Sequence, residues 1–248
     1  MKNILFLCGL WLLISGTTNA QETYYNTDNG KITVTPITHR SLVLQHAGKT
    51  IYVDPYGGRE GYGAVPKPDL ILITDIHGDH LDKETLKSLD IENAHFITPS
   101  AVKEQLSDLE LTSVQVLNNG DTTSWDGITI EATPMYNLPE TADSRHPKGR
   151  GNGYLLTISG ARIYIAGDTE DTEEMRALQD IDIAFLPMNL PYTMDVSQAA
   201  EATLAFKPKV VYPYHFRGQG GTLANVEEFK RLVENESSQI EVRLVKWY

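Results

Sequence analysis

Short apolar stretches change character along the chain, and they do so twice. Residues 31–35, 41–45 and 50–53 read as half-buried strands, and His46-Ala47-Gly48-Lys49 is the turn joining the last two. Leu70-Ile71-Leu72-Ile73 is then unbroken apolar, bounded upstream by Pro66 and Pro68, which predicts a strand buried on both faces. Asp82 is placed to cap a short amphipathic helix over 83–89. A strand at 95–97, a helix capped by Ser100 and a strand at 114–117 complete this half. After the turn Asn118-Asn119-Gly120-Asp121 the style repeats. Strands are predicted at 128–132, led in by the hairpin dipeptide Asp126-Gly127, and at 154–158 and 162–166, joined by Ser159-Gly160. A helix over 172–178, a buried strand at 183–187, a helix from Ser197 as cap through Phe206, a strand at 210–212, a helix over 226–234 and a strand over 241–247 follow. Residues 21–30 are polar and read as loose.

Each half thus opens with hairpins and passes into alternating strand and helix. That predicts an α/β protein built as a four-layer α/β/β/α sandwich, two mixed sheets face to face with helices outside. No linker interrupts 21–248, so one domain is expected. The loop over 135–153 is too long to be a plain connection, which marks it as functional.

The chemistry concentrates in Thr74-Asp75-Ile76-His77-Gly78-Asp79-His80. Two His and two Asp fall within positions 75 to 80, at the carboxyl end of the buried strand, where open α/β sheets bind ligands. A lone loop histidine is ordinarily only solvated. Four potential ligands in six residues are the donor types that zinc and other divalent metals accept. Three further candidates stand in similar places: His146 on the long loop, Asp168 after a buried strand with Gly167 before it, and His215 ending another strand. Taken singly, these three read as a loop His, a turn former and a packed ring.

Charge and cysteine content narrow the setting. A formal charge of -12 argues against nucleic acid or an anionic membrane as partner. Lys2, the apolar run 4–14 and the ending Thr18-Asn19-Ala20 have the pattern of a secretory signal over 1–20, too short to span a membrane comfortably. The expected product begins near Gln21, in the bacterial periplasm or outside the cell, with no stable membrane insertion. Cys8, the only cysteine, lies inside that signal, so any metal must be held by His and carboxylate alone.

Together these residues resemble the metallo-β-lactamase fold superfamily, and most of all its branch of L-ascorbate-6-phosphate lactonase-like proteins. The superfamily's His-x-His-x-Asp-His is matched by Asp75-Ile76-His77-Gly78-Asp79-His80, with Asp75 in place of the first His. His146-Pro147, Gly167-Asp168-Thr169, Tyr212-Pro213-Tyr214-His215, Asp54-Pro55 and His39-Arg40-Ser41 match its other motifs. The resemblance implies two divalent metal ions, zinc first, with manganese or iron as alternatives that Asp75 would favour. It puts Asp75, His77 and His146 on the first ion, Asp79, His80 and His215 on the second, and Asp168 between them. It implies metal-assisted hydrolysis of an ester, lactone, amide or phosphodiester bond, with Asp79 also orienting the attacking water.

The substrate is expected to be a small molecule, and the basic residues around His146 read either as a solvated loop or as the receiver of an anionic group. Arg145 and Lys148, with Arg150 nearby, are candidates to receive it. Asn189, Tyr192, Tyr214 and His39 are candidates to line the pocket. A silent metal-binding or sensing protein on the same fold is the alternative, and a homo-oligomer is compatible with either. Di-iron oxidoreductases of this fold carry a flavin partner domain, for which 248 residues leave no room.

Overall fold

A computed structural model describes residues 21–141 and 143–248. The predicted signal, residues 1–20, lies outside the described residues. The chain forms two seven-stranded mixed sheets, and each is built from one contiguous half. The first contains β1 (Thr23–Thr27), β2 (Gly30–Thr38), β3 (Ser41–His46), β4 (Lys49–Val53), β5 (Leu70–Leu72), β6 (His95–Thr98) and β7 (Ser113–Val116), in sequence order across the sheet. The second contains β8 (Thr122–Trp125), β9 (Ile128–Met135), β10 (Gly151–Ile158), β11 (Ala161–Ile165), β12 (Ile183–Pro187), β13 (Val210–Tyr214) and β14 (Glu241–Val242). In both sheets the first four strands are antiparallel and the last four run parallel. The helices are α1 (Lys83–Ser88), α2 (Ser100–Gln105), α3 (Glu173–Arg176), α4 (Val196–Phe206) and α5 (Val226–Glu236).

The sandwich follows from the burial pattern. One continuous core joins inward residues of both sheets, among them Ile32, Leu44, Leu70 and Leu72 with Ile130, Leu156, Ile163 and Phe185. A second core lies on the outer face of the first sheet, where Val43, Ile71, Ile73 and Phe96 meet Leu86 of α1 and Val102 of α2. The strands at 70–72 and 183–187 are therefore buried on both faces, as continuous apolar runs require.

Several expectations are corrected. Residues 23–27 are an edge strand, because Tyr25 turns inward and donates its hydroxyl to Asp182 at 2.7 Å. The last strand is only Glu241–Val242; beyond it the chain leaves the sheet edge and buries Trp247. Asp195, not Ser197, caps α4, since its carboxylate reaches the Gln198 amide in a capping box. Ser100 is the first residue of α2, and its side chain makes no cap bond. Asp82 caps α1 as expected, accepting from the Glu84 and Thr85 amides.

Among the described residues no helix is long and apolar enough to cross a membrane.

Candidate metal centre

The parallel halves of both sheets aim their carboxyl ends at one region. Asp54 follows β4, the 75–80 loop follows β5, Asp168 follows β11 and His215 follows β13. His39 sits in the two-residue turn between β2 and β3, and His146 in the loop between β9 and β10. His39, Asp54 and His215 have φ of 58°, 43° and 44°, a conformation uncommon for non-glycine residues and typical of functional sites. Glycine is required at 151, where a Cβ would lie 2.3 Å from Met135 and 2.8 Å from the Thr74 carbonyl. This close approach lets the second sheet reach the 75–80 loop, with the Asn152 amide donating to Thr74 at 2.9 Å.

Imidazoles and carboxylates crowd together here. His80 Nε2 lies 3.2 Å from Asp168 Oδ2, His146 Nε2 3.3 Å from the same oxygen, and His215 Nε2 3.1 Å from Asp168 Oδ1. His77 Nδ1 is 2.6 Å from Asp75 Oδ2. Within each of three groups the donor atoms lie within 4.8 Å of one another: Asp75, His77 and His146; His80, Asp168 and His215; and His39, Asp79 and His215. Asp79 thus sits with His39, not with His80.

The ligand atoms are held for coordination from behind. Asp54 Oδ2 is 2.8 Å from His80 Nδ1, which leaves His80 Nε2 facing the cluster. Asp54 in turn accepts from the amide and hydroxyl of Thr74 at 2.8 and 2.6 Å. Asn137 Oδ1 accepts from the His146 amide at 2.9 Å and faces His146 Nδ1 at 3.0 Å, freeing His146 Nε2. The front atoms His77 Nδ1, His80 Nε2, His146 Nε2 and Asp168 Oδ1 are buried and lack hydrogen-bond partners. Buried polar atoms without partners are rare, and these belong to two donor groups, His77 and His146 to one and His80 and Asp168 to the other, each of which fits a cation.

The charge balance agrees. Asp54, Asp75, Asp79 and Asp168 each lie within 4.0 Å of a cluster histidine. Two guanidiniums oppose these four carboxylates. Arg150 grips Asp75 with Nε and Nη2 at 3.2 and 3.1 Å. Arg40, fully buried, grips the side chain and main-chain carbonyl of Asp79. Burial pushes the Asp75 carboxyl up, but His77, His80 and Arg150 outweigh it and hold it at about 2. Burial and the Arg40 charge push His80 down, yet Asp168 and Asp54 hold it up at about 10. In His215 burial prevails, with Arg40 adding to it, and the pKa falls to about 3. The site carries more anion than its own arginines neutralise.

Other predicted site residues divide. His39 reaches the site, with Nε2 3.6 Å from Asp79 and Nδ1 2.7 Å from the Tyr248 hydroxyl. Asn189 Nδ2 lies 3.0 Å from His215 Nε2. Arg145 is exposed and stacks over Tyr192, 4.6 Å from the ring centroid. Two expectations are corrected. Tyr214 is buried, and its hydroxyl accepts from the Gly167 amide at 2.9 Å, bracing the turn that presents Asp168. Lys148 is committed to Glu174 at 2.7 Å, so its charge is already answered. The sequence reading gave no role to Asp54, Thr74, Asn137 or Arg40, although Asp54-Pro55 and the His39-Arg40-Ser41 stretch were visible as motifs.

A family model described as the β-lactamase superfamily domain matches residues 33–215. The chain belongs to the metallo-β-lactamase superfamily. Within that superfamily it is 31% identical over 215 residues to a UPF0173 metal-dependent hydrolase of Pyrococcus horikoshii, covering 82% of this chain and 92% of that one. Among solved structures it is similar to a Parabacteroides distasonis protein described as a metal-dependent hydrolase. The identity is 42%, coverage is 92% of this chain and 100% of that one, and the TM-score is 0.81. Igni18, a metallo hydrolase of Ignicoccus hospitalis, shares 27% identity over 87% of this chain and 95% of its own, with a TM-score of 0.72.

Proposed function

We propose that this protein is a metal-dependent hydrolase of a small-molecule ester, lactone, amide or phosphodiester. The observation that carries the reading is the set of four buried, unpartnered ligand atoms that both sheets bring into two donor groups at the carboxyl ends of the parallel strands. Asp75, His77 and His146 would hold one divalent ion, Asp79, His80 and His215 a second, and Asp168 would lie between them. Zinc suits the imidazoles, while the carboxylate at Asp75 shifts the set toward manganese or iron. Bound there, such ions supply a nucleophilic water at neutral pH and polarise the bond under attack.

The chain's own residues supply orientation. Asp54 and Asn137 fix which nitrogens of His80 and His146 face forward. Asp79, partly open to solvent, would orient the attacking water. A cavity of about 320 Å³ is lined by Met188, Leu190, Val196, Leu223 and Ala224, with Asp195, Ser197 and Thr222 as its polar members. Its apolar walls would suit a carbon skeleton, and the exposed Arg145 would suit an anionic group. The basic, apolar and small-residue pattern of 1–20 supports export to the periplasm or beyond. The second reading, a metal-binding protein without turnover, draws support from the two arginines that occupy Asp75 and Asp79.

Elemental analysis and a panel of lactone, ester, phosphodiester and β-lactam substrates test both readings, beside His77→Ala and Asp168→Ala. Metal and turnover on one substrate class, both lost in the variants, are expected. Metal bound with no turnover on any substrate would move the second reading forward.

A further inference from the structure

The third donor group is the anomaly. A second ion needs Asp79 beside His80 and His215, yet among the described residues no group brings Asp79 together with His80. Asp79 Oδ2 stands 4.0 Å from His215 Nε2 and 3.6 Å from His39 Nε2. The same oxygen is the one Arg40 Nη2 grips, while Arg40 Nη1 holds the Asp79 main-chain carbonyl.

Arg40 is badly placed to leave. Its side chain is wholly buried, and it springs from a two-residue turn between paired strands, with Thr38 opposite Ser41. A guanidinium keeps its charge at any ordinary pH, so protonation chemistry cannot release Asp79. The charge count points the same way. With the histidines neutral, as metal ligands must be, four carboxylates against Arg40 and Arg150 leave a surplus of two negative charges, which one divalent ion neutralises. A second ion would leave the pocket two charges positive with Arg40 in place and one charge positive without it.

Resting on the reading of the site given above, we propose that Arg40 is a resident cation of the second metal position. Its guanidinium detains Asp79, so the centre takes one divalent ion tightly and a second only where that guanidinium lets go. Arg40 is a positioning residue here, acting through Asp79.

The test is calorimetric titration of the full, chelator-stripped protein with Zn²⁺, and separately with Mn²⁺, wild type beside Arg40→Met. The wild type should take one tight equivalent and a second at least about tenfold weaker. In Arg40→Met the second equivalent should tighten by at least about tenfold, a free-energy change of about 1.4 kcal/mol. Arg40→Gln serves if the Met variant does not fold. In an Asp79→Asn background the Arg40 substitution should no longer change the second equivalent. Two equivalents of equal affinity in the wild type overturn the inference. So does a second equivalent unmoved by either Arg40 variant, and in both cases the metal-hydrolase reading stands. A wild type that binds no metal overturns both.

Discussion

Asp75 and Asp79 lie four residues apart in one loop, and each is answered by an arginine, yet the two pairs do opposite things. Arg150 approaches Asp75 along both carboxylate oxygens, in the parallel fork that Arg and carboxylate favour, and stays partly exposed. Asp75 Oδ2 remains 2.6 Å from His77, inside its ligand group. Arg40 takes the oxygen of Asp79 that faces the neighbouring histidines, and Asp79 falls out of the group containing His80. Both guanidiniums touch the Oδ2 that faces a histidine, but Asp75 keeps its place beside His77 and His146 while Asp79 does not join His80. A third pair, Arg59 with Asp90, is doubly bonded at 3.2 and 3.1 Å through Nη1 and Nη2 but sits at the surface, outside the three donor groups.

The largest expected effect separates the two sides. His146→Ala should remove the tight ion and lower turnover on the order of a thousandfold, the equivalent of about 4 kcal/mol. Asp79→Asn should lower turnover while leaving the first equivalent of metal in place. Elemental analysis beside kinetics checks this, and equal metal loss in both variants would break the comparison.

Next is Arg150→Met. It strands the Asp75 charge in a buried site, so the metal-free protein should lose about 3 kcal/mol in denaturant unfolding. With saturating metal the loss should shrink, because the ion supplies the missing positive charge. An equal loss with and without metal would mean Arg150 is only a packing element.

Asp54→Asn comes third. Without the carboxylate that turns His80 forward, metal affinity should fall roughly 10- to 100-fold by competition with a chelating dye. The fold should survive, since the amide oxygen can still accept from the Thr74 amide.

The smallest effect belongs to the surface pair. The hydrogen bond from Arg59, joined by one from Lys67, holds Asp90 at about 2. A depressed carboxyl stabilises the fold above its unfolded value of about 3.9, and the contribution is lost as pH falls toward about 2. Asp90→Asn should therefore unfold slightly more easily than wild type at pH 7, and the two should converge in acid titrations below about pH 2.

What the sequence disclosed follows the range of the interactions. The strand at 183–187 and the cap at Asp82 rest on neighbouring residues, and both were legible. The two-sheet plan was legible too, because hairpin and crossover signals recur in order along each half. The 75–80 loop announced itself because its ligands are adjacent. The Arg150–Asp75 and Arg40–Asp79 pairs join residues 75 and 39 positions apart, and nothing local marks either arginine. Tyr214 looked like a pocket residue because strand ends often are; only the packing shows its hydroxyl spent on the Gly167 amide.

The division of the chain into one sheet per half has a further consequence. Every ligand up to His80 comes from the first sheet's half, and His146, Asp168 and His215 come from the second. Neither half can bury its inner face or complete the donor set alone. Metal uptake is therefore a report on docking: an ion that binds only the joined halves adds to their cohesion in proportion to the logarithm of its concentration. Cut at the Asn118–Asp121 turn, the two fragments would be a complementation pair, reassembling more readily as divalent cation is supplied.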